Sequence, residues 1–362
     1  MRFCRRLAAF GFHPLVAVVA LALVIGSGLS SATAKPSFKV AWSIYVGWMP
    51  WPYADEDGIL KKWADKYGIE IKLIQGDYLA TIEQFVAGEV DACAMTNMEA
   101  LDMPAASGVD STALIIGDFS NGNDGILLRH GAKVVDLKGK TVQLVELSVS
   151  HYLLARALEM NGLAEKDIKI VNTSDSDIAP TFLTNESVES IVTWNPQLIQ
   201  ARQAKGATLV FDSSSIPGEI IDMMVVNTKK LKEHPELGKA LTGAWYEAMS
   251  TMSGRGAAGT KATAAMAEKA GSTVAELKQQ LKTTAMFYKA ADAADFFKGA
   301  KIKETMEYVR QFCFGHGLLG EGVTSVDAVG IELPDGNVLG DKGKVRLRFD
   351  SSFTEMAARG EL

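Results

Sequence analysis

The chain has 362 residues, with 37 Lys and Arg against 43 Asp and Glu, a net charge of −6, 48% hydrophobic residues and three Cys. This acidic balance disfavours nucleic acid and anionic membrane surfaces as partners and is mildly favourable to a cationic ligand. The length suits two domains of ordinary size, each able to bury its own core.

Arg2, Arg5 and Arg6 precede an apolar run from Leu15 to Ile25, and Ala32-Thr33-Ala34 supplies a small-residue cleavage site. The run is shorter than the roughly 20 apolar residues a bilayer span needs, so residues 1–34 read as a cleaved signal peptide and predict a periplasmic protein. Those three Arg are the only charged residues before Lys35, which leaves the exported chain at −9. Cys93 and Cys313 remain. They read as two small buried hydrophobes, although an oxidising compartment would permit a disulfide whose geometry the sequence does not show.

Phe38 to Val46 predicts a first strand, broken by Gly47, Pro50 and Pro52 into a loop carrying Tyr45, Trp48, Trp51 and Tyr53. Aromatic rings after a first strand suit the wall of a ligand pocket. A helix from Asp55 to Tyr67 ends at Gly68. Strand Ile69–Ile74, helix Tyr78–Ala87 and strand Val90–Met95 follow. Thr112 to Gly117 is a buried strand, 118–125 a polar loop, and Ile126–Arg129 a further strand. The pattern restarts with strand Thr141–Val145, a helix from His151 to Asn161, strand Ile168–Asn172 and helix Ile178–Leu183. Strands Val188–Thr193 and Ala207–Phe211 complete this second unit.

Ile220–Val226 reads as a strand returning to the first unit, and Leu231 to Gln311 is mostly helical. The tail carries two strand-like runs, Val329–Leu333 and Lys344–Phe349, with a hairpin-type turn at Asp335-Gly336-Asn337 between them. Alternating strands and helices predict an α/β fold with two doubly wound sheets. Chain crossings near 126–138 and 212–221 make it two-lobed with a two-segment hinge. The expected layout is lobe I over 35–130, lobe II over 131–215, a return to lobe I over 216–314, and an extension over 315–362.

Open α/β sheets bind ligands at strand carboxyl ends. Collected there are Tyr45 and Trp48, Asp77 and Tyr78, Thr96 and Asn97, Asp118, Asn123 and Asp124, Glu146, Ser148 and His151, Trp194 and Asp212, with Asp222 near the second crossing. Carboxylates and aromatics dominate and cations are nearly absent, which suits a cationic ligand held by cation–π contacts and charge-assisted hydrogen bonds. Each member also has an ordinary structural reading: Glu146 as a helix-start carboxylate, His151 as a hydrogen-bonded core residue, Asp222 as a turn cap.

Enzymatic readings find little support. No G-x-S-x-G occurs, the five His show no HExxH spacing, and no Walker loop or GxGxxG follows a strand. Asn121–Gly125 lacks the spaced carboxylates of a calcium loop, so no metal or cofactor is expected.

Val90-Asp91-Ala92 with Thr96-Asn97, Ser148-Val149-Ser150-His151-Tyr152 after Leu137-Lys138-Gly139-Lys140, and Trp194-Asn195-Pro196 resemble a known family. These are motifs of the periplasmic substrate-binding components of nitrate/sulfonate/taurine-type ABC importers. Tyr45-Val46-Gly47-Trp48-Met49-Pro50-Trp51, Met95–Met98, Gly117–Gly125 and Val329–Gly336 resemble more closely the subgroup labelled urea-transporter binding proteins, linked to urea- and guanidine-carboxylase-type enzymes. The resemblance implies a type II-like periplasmic binding protein fold, a monomer, an inner-membrane ABC permease as partner, and urea or guanidinium as ligand in nitrogen uptake.

Charge separates those two ligands, since a planar cation with fixed donors calls for carboxylates and neutral urea does not. The expected site therefore stacks guanidinium, or a small guanidino or amidine compound, between Tyr45, Trp48 and Trp194. Glu146 and Asp222, with Asp118 or Asp124, would pair with its N–H groups, and Asn97 and Asn123 would orient it. Urea or a sulfonate-type ligand is the alternative. A thiamine-pyrimidine-synthase-like enzyme and a receptor-docked sensor share the same fold, although the former carries a cysteine-rich motif that two lone Cys do not supply.

Overall fold

The computed structural model describes residues 35–362; the expected signal peptide lies outside the described residues. Lobe I begins with β1 (Ser37–Trp42). Next come α1 (Pro50–Glu56) and α2 (Ile59–Lys66), then β2 (Glu70–Gln75) and α3 (Tyr78–Val86). β3 (Ala92–Thr96), α4 (Asn97–Ala100) and β4 (Ser111–Ser120) complete its first part.

The stretch expected as an aromatic loop is largely helical. A helix's first turn has no intrahelical acceptor for its N–H groups, so prolines there cost nothing. Pro50 opens α1, and the two prolines that read as breakers mark a start. The single helix expected over 55–67 divides at Gly58, whose φ of 76° interrupts it. Trp51, 2% exposed, packs its ring 4.9 Å from Trp245 in the core.

Lobe II contains β5 (Asp124–Arg129), β6 (Thr141–Leu144), α5 (Val149–Met160) and β7 (Lys169–Asn172). It continues through α6 (Asp175–Thr184), β8 (Ser190–Trp194), α7 (Gln197–Ala201) and β9 (Ala207–Asp212). The sheet order is β7-β6-β8-β5-β9, with β6 parallel to both neighbours and β5 antiparallel to both of its own.

The first crossing comes earlier than expected. β5 already belongs to the second sheet at Asp124, so only residues 121–123 cross. Polar residues that read as a loop are the buried ends of two strands, tied together by hydrogen bonds. Ser120 Oγ donates to Asp124 Oδ2 at 2.5 Å and lies 2.6 Å from Ser213 Oγ, and Gly122 N donates to Ser213 Oγ at 2.7 Å. Ser213 belongs to the second crossing, so the two hinge segments are bonded to each other.

The return strand β10 (Ile221–Asn227) inserts between β3 and β4, antiparallel to both. α8 (Thr228–Glu233), α9 (Pro235–Ser253), α10 (Ala257–Lys269) and α11 (Val274–Gln280) follow. A short β11 (Thr284–Met286) then pairs with β4, ahead of α12 (Ala290–Lys298) and α13 (Ala300–Gly315). The tail supplies β12 (Gly330–Glu332), β13 (Val338–Leu339), β14 (Val345–Phe349) and α14 (Ser352–Arg359).

The turn at Asp335–Asn337 joins β12 to β13, not to the run at 345–349. β14 instead lies parallel to β12 on one side and to β4 on the other, so the tail extends the sheet of lobe I. The order among the described residues is β13-β12-β14-β4-β10-β3-β1-β2. Cys93 and Cys313 are buried free thiols.

Leu347 of β14 is fully buried. Leu347→Ala is expected to cost about 2–5 kcal/mol in urea unfolding; a loss below about 0.5 kcal/mol would mean that the tail does not contribute to this core.

Candidate functional site

The cleft between the lobes narrows to a cavity of about 20 Å³ for the centre of a water-sized sphere. One water needs roughly 10–15 Å³ on that measure, so the space holds one or two water-sized groups. Tyr45, Trp48 and Tyr78 of lobe I and Trp194 of lobe II form an aromatic wall. Consecutive ring centroids lie 5.0 Å apart for Tyr45–Trp48, 5.6 Å for Trp48–Tyr78 and 5.7 Å for Tyr78–Trp194. Trp48 Nε1 is buried without an acceptor.

Asp124 and Asp222 face the cavity, which Thr96, Val149 and Ile220 complete. Strand register brings the third carboxylate in: on adjacent antiparallel strands Asp222 stands directly opposite Asp118. Tyr45 OH donates to Asp118 Oδ1 at 2.9 Å, while no donor reaches Asp118 Oδ2 or Asp222 Oδ2. All three carboxyls are essentially buried, and among the described residues no Lys or Arg lines the cavity.

Desolvation disfavours the charged forms. Burial pushes Asp118 and Asp124 up to about 7. Burial, with the charges of Asp118 and Asp124, raises Asp222 well above the usual carboxylate range. Tyr45, buried and facing the same acids, is raised as well and remains a donor. The arrangement is a small aromatic box with three buried acids whose charged forms await a partner, and among the described residues no Lys or Arg in its lining supplies one.

Five of the expected residues line this cavity: Tyr45, Trp48, Asp124, Trp194 and Asp222. Asp118 sits behind Tyr45, and Asn123 precedes Asp124, accepting a long 3.4 Å hydrogen bond from Thr284 Oγ1. Three others lie elsewhere. Asn97 is committed to the second hinge segment, its Nδ2 donating to Glu219 O at 3.2 Å and its Oδ1 accepting from Ile221 N at 2.9 Å. Glu146 is exposed, outside the cavity lining, with its backbone N–H on Asn172 Oδ1. The strand ends at Leu144, and Leu147, at φ 61°, turns the chain so that Val149, not Glu146, meets the cavity.

His151 belongs to a separate cluster. Its Nδ1 accepts from Leu147 N at 3.1 Å, so Nε2 carries the proton, 3.3 Å from Glu165 Oε2. His316, at the end of α13, places Nδ1 2.9 Å from Phe312 O and Nε2 2.7 Å from Glu165 Oε1. Ligand atoms of His151, Glu165 and His316 lie within 4.8 Å of one another. A proton on His151 Nε2 faces Glu165 Oε2 at that distance and does not fit metal ligation.

Tyr78 and Thr96 were visible as strand-end residues but carried no specific role. Glu99 gave only a weak signal, a lone acid in Met95–Leu101; it is completely buried beside Thr96.

Residues 132–255 match the family described as NMT1/THI5 like. No curated protein matches the chain. Among solved structures, the alkanesulfonate-binding protein SsuA from Xanthomonas axonopodis pv. citri bound to MOPS is similar. It has TM-score 0.63, 17% identity, and coverage of 82% of this chain and 99% of that one. The periplasmic aliphatic sulphonate binding protein SsuA from Escherichia coli is also similar at TM-score 0.64, 17% identity, 80% and 95% coverage. A weaker neighbour is the desulfurization enzyme DSZB, at TM-score 0.55, 16% identity, 80% and 95% coverage. At these identities the likeness is one of fold: the chain has the two-lobed periplasmic binding protein fold, and the stronger of these neighbours are binding proteins.

The Glu165 cluster predicts a pH dependence of stability. Glu165 is held at about 2 by the two imidazoles beside it, His151 and His316, so its contribution is present above the ordinary Glu value and fades as pH falls towards 2. His316 is raised by Glu165; its contribution is complete below about 6.5 and fades as pH rises through the raised value. His316→Gln is therefore expected to destabilise more at pH 5.5 than at pH 8.5 in urea unfolding. Equal losses at both would show that the imidazolium is not what holds the contact.

Proposed function

We propose that this chain is the solute-binding component of an ABC importer and captures guanidinium, or a small guanidino or amidine cation, in the periplasm. The observation that carries this reading is a set of three buried carboxyls at an aromatic box whose lining, among the described residues, has no Lys or Arg: Asp124 and Asp222 face the cavity, Asp222 Oδ2 lacks a donor, and Asp118 stands behind Tyr45. Planar N–H donors on a cation supply both what the carboxylates lack and what the rings prefer. Closure of the lobes buries the ligand and presents a closed form to an inner-membrane permease. The fold's binding-protein neighbours support a non-enzymatic role.

Urea is the second reading, and one observation favours it. Asp118 and Asp222 lie within hydrogen-bonding reach of each other. One of the two holding a proton and turning it to the ligand would give a donor for a carbonyl, with the other, ionised, as an acceptor for an amide.

The two readings respond oppositely to pH. Cation binding needs ionised carboxylates, so guanidinium affinity is expected to rise from pH 5.5 to 8 with proton release on binding. Urea held by a protonated acid would lose affinity over the same range. Calorimetry with guanidinium chloride, urea, methylguanidine, taurine and nitrate at low millimolar concentration or below checks this. Guanidinium is expected to bind more tightly than urea, Asp222→Asn to weaken it by tenfold or more, about 1.4 kcal/mol, and Glu146→Gln to leave it unchanged. Equal or tighter binding of urea, taurine or nitrate would overturn the reading.

A further inference from the structure

The first N–H groups of a helix point outward unsatisfied and make a ready anion site. α5 starts at the cavity wall, with Val149 as its first residue. Each of its first four N–H groups is already taken from within the protein. Val149 N donates to Glu99 Oε1 at 2.8 Å and Ser150 N to Ser148 Oγ at 3.1 Å. His151 N and Tyr152 N both reach Ser148 O, at 2.8 and 3.1 Å.

Glu99 is the unusual partner. It stands on α4 in lobe I, while Val149 opens α5 in lobe II, so this bond spans the cleft. The side chain is completely buried. Its other oxygen accepts from Thr96 Oγ1. Tyr78 OH, which accepts from Thr96 N at 3.0 Å, turns its own proton towards the same carboxylate. In contrast to Asp118 and Asp222, Glu99 has no oxygen left over for a ligand.

We infer that Glu99 is a specificity-determining residue: its carboxylate fills the anion position at the start of α5 from the opposite lobe, closing the site to anionic solutes and tying the lobes together around a cation. The inference rests on the solute-binding reading but not on the ligand's identity. Tyr78 fits the same scheme, with its ring in the aromatic wall and its hydroxyl fixing Glu99.

Chemical rescue tests this. Glu99→Ala is expected to bind guanidinium at least tenfold more weakly than wild type, and tens of millimolar formate, with chloride as the ionic-strength control, to restore most of that loss. Formate is also expected to raise the melting temperature of ligand-free Glu99→Ala and not of wild type. This arm decides Glu99 even if wild type fails to bind guanidinium, in which case only the ligand reading falls. Formate acting equally on wild type, or not at all on Glu99→Ala, overturns the inference. Should Glu99→Ala not fold even with formate, Glu99→Gln decides. It keeps an acceptor for Val149 N–H but removes the charge, so a guanidinium affinity at least tenfold weaker than wild type, or new binding of taurine, supports the role. Guanidinium affinity within threefold of wild type with taurine still excluded rejects it.

Discussion

Two carboxyl groups facing each other across adjacent strands set the terms for the rest of this molecule. Asp118 and Asp222 are paired by register in the middle of the larger sheet, where like charges opposite one another are destabilising and burial penalises each charge further. A sheet could relieve this with a Lys or Arg from a neighbouring strand. Here the neighbours offer Tyr45 OH and the Thr96 strand instead. The backbone also leaves no slack: a Cβ on Gly47 would come within 2.3 Å of Asp118 Oδ2 and 2.4 Å of the Tyr45 ring. Glycine is needed at that position so that the first loop can lie directly against the acid.

What distinguishes one solute class from another on such a fold is where the negative charge resides. A cleft that ends in free helix N–H groups and cations receives an anion, and a cleft that ends in carboxylates receives a cation. In this chain both halves of the choice point the same way. The acids sit on the strands, and the helix start that could have drawn an anion is covered by Glu99. The alternation of α/β units does not encode this choice; a few side chains at strand ends do.

The alternation itself was legible because it follows from the periodicity of apolar residues, and the pocket's position followed from it. Tyr45, Trp48, Trp194 and Asp222 could be placed because a strand's end is a well-defined location. Glu146 could not, because the strand stops two residues before it and a left-handed Leu147 redirects the chain, a local event with no sequence period. Polarity misled at 118–125, where Asp118, Ser120 and Asp124 are buried and bonded in strands. The prolines misled at 50 and 52, where breaking and starting a helix look alike. The partner of a tail strand is a long-range fact, so the hairpin turn was visible and the parallel pairing of β14 with β4 was not.

Asp124 stands where the cavity meets the first chain crossing. It is the first residue of β5, immediately past the crossing, and its Oδ2 accepts from Ser120, the last residue of β4. Ser120 in turn meets Ser213 of the other hinge segment. A hydrogen bond to an ionised carboxylate is shorter and stronger than one to its protonated form. With Asp124 raised to about 7 by burial, a bound cation of the kind proposed would favour its ionised state and strengthen the bond from Ser120. A neutral solute of the same shape would fill the box without that effect, so under the proposed reading discrimination at this position would follow charge as well as fit.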